Sequence, residues 1–520
     1  MANPISVAKE KDLVSDEAMR NDDLEHAATH GTYLNKEEAS HLSEEHHQYL
    51  LERHGTIDLD PLPTMGTADP YNWPQWKKIM NVLFVAFHAM MCAFPASAII
   101  PAYEVISEDL GVSIQKASYL TSLQIAVLGG GPLFWRPLST RYGRRPIFII
   151  SLIGSLVFTI GCAKSHTYTT MAICRAFQAF FICPPNAIGS AVVVETFFRK
   201  ERARYMGMWT VMITLGIPLA PLIFGFVTYN LGYRWIYWIL AMINGVQLIL
   251  YTLFGPETRF MRHDNAQHAQ AGFAAYKEMY LKFRRIDKTP MTAYEFISPL
   301  RLFKHPCVMI PACAYAMIFL FASVLMTVEI PQLFVEKFHL NAQQIGLQFL
   351  GIIVGTVIGE QIGGHSSDLW MRWRAKKMHP LRPAPEFRLW LSYAGILLSI
   401  CGVVLFLVRI EQAPPGRWNV TPIIGAGIGA AGNQIVTTVL ITYAVDCYPE
   451  EAGSIGVFIT FVRQIWGFLG PFWFPAMFEH VGIAKSAGVA TALIVGVSLL
   501  PVLLTHWKGY RLRGAMSESM

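Results

Sequence analysis

Twelve long apolar stretches dominate this 520-residue chain, and each has the length that a bilayer demands. A hydrocarbon core about 30 Å thick takes about 20 mostly apolar residues per helix. Stretches of that kind lie at 79–101, 117–137, 146–164, 168–193, 205–228 and 234–254, then at 307–330, 343–364, 387–409, 420–443, 453–476 and 484–506. The second and eighth are the weakest, because their inner ends run into charged loops. Segments of about ten alternating residues, which a membrane barrel needs, are absent. With 53% apolar and 15% charged residues, the chain has too little polar surface for a soluble protein. The pattern predicts an all-α polytopic membrane protein, with twelve transmembrane helices in two pseudo-symmetric six-helix bundles.

The charges that remain are unevenly placed. Residues 1–69 hold 5 Lys/Arg against 15 Asp/Glu and six of the sixteen His, which predicts a disordered, acidic cytoplasmic tail. If the spans thread back and forth, Arg141, Arg144, Arg145, Arg199–Arg204, Lys282–Lys288 and Arg372–Lys377 all fall on the side of the two termini. Basic loops face the cytoplasm, so both termini are expected there. The sequon Asn419-Val-Thr421 falls in an outside loop, which makes Asn419 the candidate glycosylation site. No apolar stretch opens the chain, so the first span is expected to direct insertion. The implied domains are a tail at 1–69, a first bundle at 70–254, a cytoplasmic central loop at 255–306, a second bundle at 307–506 and a tail at 507–520. Within the central loop, Ala271–Arg285 has the spacing of a helix lying along the membrane surface. The eight cysteines are scattered among apolar runs, without metal-ligand spacing, so no metal, cofactor or disulfide framework is expected.

The halves share a signal. After the second span comes Arg136-Pro-Leu-Ser-Thr140-Arg-Tyr-Gly143-Arg144-Arg145, and after the eighth Gly364-His-Ser-Ser-Asp368-Leu-Trp-Met371-Arg372-Trp373. Equivalent placement in each half points to a duplicated six-helix unit, the architecture of transporters. On these residues the chain resembles the major facilitator superfamily over about residues 70–510, and most nearly the fungal twelve-span drug:proton antiporters. Leu138-x-x-x-Tyr142-Gly143-Arg144-Arg145-Pro146 is similar to the superfamily's hallmark cytoplasmic loop. Arg175-Ala-Phe-Gln178 resembles its fourth-span motif, with Ala179 in place of a glycine. Gly216-Ile-Pro-Leu-Ala220-Pro221-x-x-x-Gly225 resembles the antiporter motif, with Ala220 in place of a second glycine. The resemblance implies gating roles for Gly143, Arg144, Arg145, Asp368 and Arg372, and proton-driven export. Two departures stand out: Thr140 replaces an acid, and Arg136 replaces a small residue.

Ionisable residues at mid-membrane are costly unless they face a cavity or a partner. His88, Arg175, Arg463 and Glu360 are the candidates, together with the polar residues Gln178 and Asn186 in the fourth span and Asn433 and Gln434 in the tenth. For substrate binding the expected set is Arg175, Gln178, Asn186, Asn433, Gln434 and Arg463; for proton coupling, His88 and Glu360. Interhelical hydrogen bonding is the competing role for the amides, and helix packing for the glycines. Glu329 lies near the outer end of the seventh span, where acids ordinarily reach water or a loop arginine. Tyr119, Trp209, Trp466 and Trp473 are the aromatic residues worth testing against cargo. No carboxylate sits at the centre of any span, which suits anionic or polar neutral cargo better than polycations.

The resulting expectation is a monomeric plasma-membrane transporter, with the vacuolar membrane as the alternative site. It exports a secondary metabolite or toxic organic compound against protons, and its partners are the small-molecule substrate, protons and the lipid bilayer. A proton symporter importing an organic acid is the runner-up. Nucleic-acid binding is not expected, and the absence of H-E-x-x-H, G-x-S-x-G and P-loop patterns argues against an enzyme.

Overall fold

The computed structural model describes residues 43–57, 59–66, 68–260, 280, 285–287, 289–378 and 384–517. Among these residues the chain is helical throughout, without strands. In hydrocarbon no water pairs with backbone N–H and C=O groups, so each crossing segment must satisfy its own. Eleven helices are long and apolar enough to cross: Gln75–Leu110, Arg144–Ala163, Tyr168–Thr196, Arg199–Leu231, Arg234–Phe254, Pro306–Phe338, Ala342–Met371, Pro385–Gln412, Thr421–Cys447, Ala452–Val481 and Ile483–Arg511. The twelfth is Ile114–Tyr142, 29 residues long. It is the second span, diluted by Lys116, Arg136 and Arg141 at its ends. Many of these helices outrun the apolar stretches, because they continue into the polar loops; the fifth is 33 residues long. An even number of crossings returns the chain to the end where it began, called here the terminal end.

Helix pairing repeats with an offset of six. The first span packs on the fifth, the third on the sixth, the second on the fourth and the third on the fourth. The seventh packs on the eleventh, the ninth on the twelfth, the eighth on the tenth and the ninth on the tenth. Two seams join the halves, second span to eleventh and fifth to eighth, and the same offset interconverts them. Two six-helix bundles related in this way can rock about their shared interface.

Part of the segment expected as a solvated tail over 1–69 is helical and packed on the first half. Helix Glu44–His54 is capped by the Ser43 side chain and ended by Gly55 in the left-handed conformation, φ 70°. Arg53 donates to the Asn72 carbonyl at 2.7 Å, and His54 shares a hydrogen bond with Asn72 Oδ1 at 2.9 Å. The Asn72 amide donates in turn to the Thr64 and Gly66 carbonyls. Tyr71 donates to the Val194 carbonyl, and Arg199 pairs with Asp60, so the segment ties the entry of the first span to the turn between the fourth and fifth. Averaging charge over 69 residues hid this, because turn chemistry at Thr64–Asn72 is local. The stretch 271–285, expected along the membrane surface, lies outside the described residues except for Tyr280 (as part of Ala271–Arg285) and Arg285.

Candidate functional site

The second-to-eleventh seam runs the length of the molecule. The Tyr119 ring stacks on Phe472 at 4.5 Å between centroids, at the end remote from the termini. Deeper, Gly129 lies so close to Gln464 that a Cβ there would come within 2.7 Å of the glutamine side chain. At the terminal end Arg136 donates to Ser454 at 2.9 Å, a direct bond between the halves. Arg136 is the residue that departs from the superfamily pattern, and it reaches the opposite half. The fifth-to-eighth seam closes to backbone contact: a Cβ on Gly225 would meet Ala342 O at 2.7 Å and Gly346 Cα at 3.0 Å. Gly216, in the same motif, lies against the Met90 carbonyl of the first span, and Ala220 is fully buried. Pro221 puts its carbonyl 2.7 Å from where a Cβ on Gly346 would stand. Small residues let these backbones approach.

Arg175 is fully enclosed within the first half. It donates to the Leu120 carbonyl at 3.2 Å, the Pro95 carbonyl at 3.2 Å, the Tyr237 hydroxyl at 3.1 Å and the Gln124 amide oxygen. Spans one, two, four and six therefore converge on one guanidinium, and four of its five donors are engaged. Gln178 is likewise buried, donating to Thr159 at 2.7 Å, while its own oxygen has no partner. His88 shares a bond with Ser151 at 3.1 Å and is enclosed beside Phe148. Asn244 donates to Ser155 at 3.0 Å. Ser151, Ser155 and Thr159 thus form one polar stripe on the third span, taking partners from spans one, six and four. The signal is visible as Ser-x-x-x-Ser-x-x-x-Thr, hydroxyls spaced by one helical turn. Asn186 stands apart, just beyond the Pro184-Pro185 pair that opens the second segment of the fourth span, with its Oδ1 buried and unpartnered.

In the second half Arg463 donates to the Tyr315 hydroxyl at 2.8 Å, with its guanidinium 4.7 Å from the centre of the Phe319 ring. Its Nε has no partner. Its neighbours on the eleventh span meet the second, with Gln464 against Gly129 and Ile125 3.4 Å from where a Cβ on Gly467 would stand, which places Arg463 beside the boundary between the halves. The neighbouring Gln464, on the seam, keeps its amide oxygen unpartnered. Gln434 donates to Glu360, linking the tenth span to the eighth, and Asn433 Oδ1 is buried without a partner. In the fifth span Trp209 lies against Gly189, and its indole N–H has no partner. The expected substrate set therefore divides. Arg175 is engaged inside the first half, while Gln178, Asn186, Asn433 and Arg463 each retain an unpartnered polar atom.

Glu329 differs from the expectation that it would reach water or a loop arginine. It is 1% exposed, its Oε1 has no partner, and it forms no ion pair among the described residues. Met326–Phe338, the part of the seventh span that carries Glu329, packs on the turn Ile100–Ala102 within the first span.

The basic loop is held by acids within the first half. Gly143 turns the chain at φ 96°, tight against the Glu257 carboxylate, where a side chain would collide. Glu257 accepts from the backbone amides of Arg144 and Arg145 at 2.8 and 3.0 Å, capping the third span. Arg144 pairs with Glu195 at 2.8 Å, and Arg145 donates to the Thr252 carbonyl at 2.8 Å and to those of Tyr251 and Gly255 at the end of the sixth span. Arg141 reaches the linker between the halves, pairing with Asp287 and with Glu295 at 2.6 Å. Hydrogen bonds from the Thr289 hydroxyl and amide, with Arg141 beside it, hold Asp287 down at about 2. The side chains of Asp368 and Arg372 lie outside the described residues. Asn419 is exposed, and its side chain accepts from the Thr421 amide at 3.0 Å. No group of three or more metal-ligating side chains comes together among the described residues.

The family model of the Major Facilitator Superfamily matches residues 85–471. The chain is 26% identical over 439 residues to "Efflux pump FUBT" of Fusarium oxysporum, covering 83% of this chain and 72% of that one. It is 24% identical over 482 residues to "Major facilitator superfamily multidrug transporter FLU1" of Candida albicans, covering 87% and 76%. It is 23% identical over 458 residues to "Uncharacterized transporter mfc1" of Schizosaccharomyces pombe, covering 85% and 92%. Among solved structures the human organic anion transporter MFSD10 (TETRAN) has the same fold, with TM-score 0.53 at 16% identity, covering 83% of this chain and all of that one. Helix number, the six-span repeat in packing and the matched family model agree: this chain belongs to the major facilitator superfamily, a multi-pass membrane transporter.

Proposed function

We propose that this chain is a proton-coupled efflux transporter that exports a secondary metabolite or toxic small organic compound, anionic or polar neutral, by alternating access. One observation carries the cargo class: Arg463 lies beside the boundary between the halves, cushioned on two aromatic rings, with a free Nε and no carboxylate partner among the described residues. A buried cation balanced only by ring faces and a phenol retains attraction for an anionic or strongly polar group. Asn433, Asn186 and Trp209 supply further unpartnered polar atoms for orientation. The names of the efflux pump and multidrug transporter among the relatives support export. The basic terminal end supports cytoplasmic termini, and the membrane we assign is the plasma membrane, with the vacuolar membrane as the alternative. Two seams within one chain supply the rocking interface, so a monomer suffices.

Directional flux in vesicles tests this reading. Inside-out vesicles containing the protein should accumulate an anionic dye such as carboxyfluorescein when the lumen is made acidic, and collapse of the gradient should abolish it. Accumulation driven instead in right-side-out vesicles by an acidic exterior would establish import and overturn the proposal.

A further inference from the structure

We propose that Glu329 is the carboxyl whose protonation couples the pH gradient to transport, an assignment that rests on the proton-coupled reading above. Three observations point to it. Glu329 is a fully buried acid inside a membrane-spanning helix, with Oε1 unpartnered and no basic residue paired to it among the described residues. A carboxyl without water or a counter-charge keeps its proton until the surroundings change. Secondly, it sits where the halves meet: the seventh span belongs to the second half and packs on the Ile100–Ala102 turn of the first. Motion of one half against the other would uncover this carboxyl, whereas His88 is enclosed within a single half.

The third observation is the buried polar chain beside that turn. Tyr103, which follows the turn, is fully enclosed. Its hydroxyl donates to Thr121 at 2.7 Å, and Thr121 donates to the Ala96 carbonyl. Among the described residues Arg175 has no carboxylate partner and Glu329 has no basic partner. Met326–Phe338 also packs on the second, eighth and ninth spans, and the earlier part of the seventh span packs on the tenth, eleventh and twelfth. Among the charged groups described on these spans, Lys116 lies over the Tyr168 ring, Arg136 bonds Ser454, Arg141 pairs with Asp287, Glu360 accepts from Gln434, Arg409 donates to Gln412, Glu411 accepts from the Ala484 amide and Arg463 donates to Tyr315. In the cycle, Glu329 releases its proton to water on one side of the membrane and takes one from the other side, and no other bond changes.

Two readouts on full-length protein in liposomes test the assignment. Dicyclohexylcarbodiimide, which attacks protonated carboxyls in apolar surroundings, should label the peptide carrying Glu329, with labelling falling about tenfold per pH unit above the midpoint. Glu329→Gln should lack that label. The same variant should retain exchange of carboxyfluorescein across the bilayer while losing its acceleration by a pH gradient, and Glu329→Asp should recover part of that response. Absence of pH-dependent labelling, or a Glu329→Gln protein that answers the gradient as wild type does, overturns the assignment. A wild-type protein indifferent to the gradient overturns the proton-coupled reading instead, while the labelling still judges the residue.

Discussion

Arg463 and Tyr315 join the eleventh and seventh spans by a single charge-assisted hydrogen bond of 2.8 Å, and that bond leaves the guanidinium under-used. Arg463→Ala should weaken export of an anionic probe about 10- to 100-fold, the equivalent of one or two charged hydrogen bonds at about 1.5–3 kcal/mol. Tyr315→Phe, which keeps the ring and removes only the hydroxyl, should cost less. Uptake by inside-out vesicles, normalised to protein amount, measures both; unchanged affinity in Arg463→Ala would make this arginine structural.

Arg175 should behave differently, since it ties four spans together. Arg175→Ala leaves the Leu120 and Pro95 carbonyls and the Gln124 oxygen without their donor, and should destabilise the first half by about 3 kcal/mol. Lysine cannot reproduce the planar fork and should rescue poorly. Thermal unfolding in detergent should show a lower midpoint for both variants, together with reduced surface expression. A variant that folds normally yet transports nothing would return Arg175 to the cargo site.

Closure of the fifth-to-eighth seam depends on the absence of side chains. Gly225→Leu and Gly346→Leu each place bulk where backbone atoms stand 2.7 to 3.1 Å from a Cβ. Both should hold the halves apart at the end remote from the termini and abolish transport while the protein remains folded. Reaction of a cysteine introduced at Tyr119 with a membrane-impermeant maleimide should rise several-fold in each variant if that end stays open.

The Arg141–Asp287 clasp lies outside the spans, so its pH response is calculable. Asp287 is held at about 2, below its ordinary 3.8, by Thr289 first and Arg141 beside it. A lowered carboxyl contributes stability that is full above the unfolded value and is lost as pH falls through the folded one. The difference in melting midpoint between wild type and Asp287→Asn should therefore stay constant from about pH 5 to 9 and shrink below about pH 4.

Arg53 and Asn72 should matter although they precede the first span. Arg53→Ala removes both hydrogen bonds to the Asn72 carbonyl, frees Glu44–His54 and should raise protease cleavage between residues 55 and 69. Removal of residues 1–42 should leave transport intact. Limited proteolysis with mass spectrometry reads the first outcome and vesicle uptake the second.

Much of the architecture is legible in one dimension. Apolar run length indicates the spans, and the repeat at Arg136–Arg145 and Gly364–Trp373 indicates two halves. The second span's dilution by terminal charges is also visible in the residues themselves. The site was less legible. Arg175 and Arg463 look alike as lone arginines in apolar helices, yet one has four of its five donors engaged and the other bonds a single hydroxyl with its Nε unpartnered. The difference lies in Leu120, Gln124 and Tyr237, residues more than fifty positions away from Arg175. Glu329 is illegible for the same reason, because position along a helix does not encode the burial that neighbouring helices impose.

The sequence by itself therefore determined the membrane class, the span number, the duplicated design and the residues able to carry charge within it. Hydrophobic length and charge placement are properties of each segment alone, and the bilayer reads them segment by segment. Which charges are spent and which are free was decided only by the tertiary structure. A buried polar atom is satisfied or left open according to what neighbouring helices bring within about 3 Å, and no local pattern encodes that meeting.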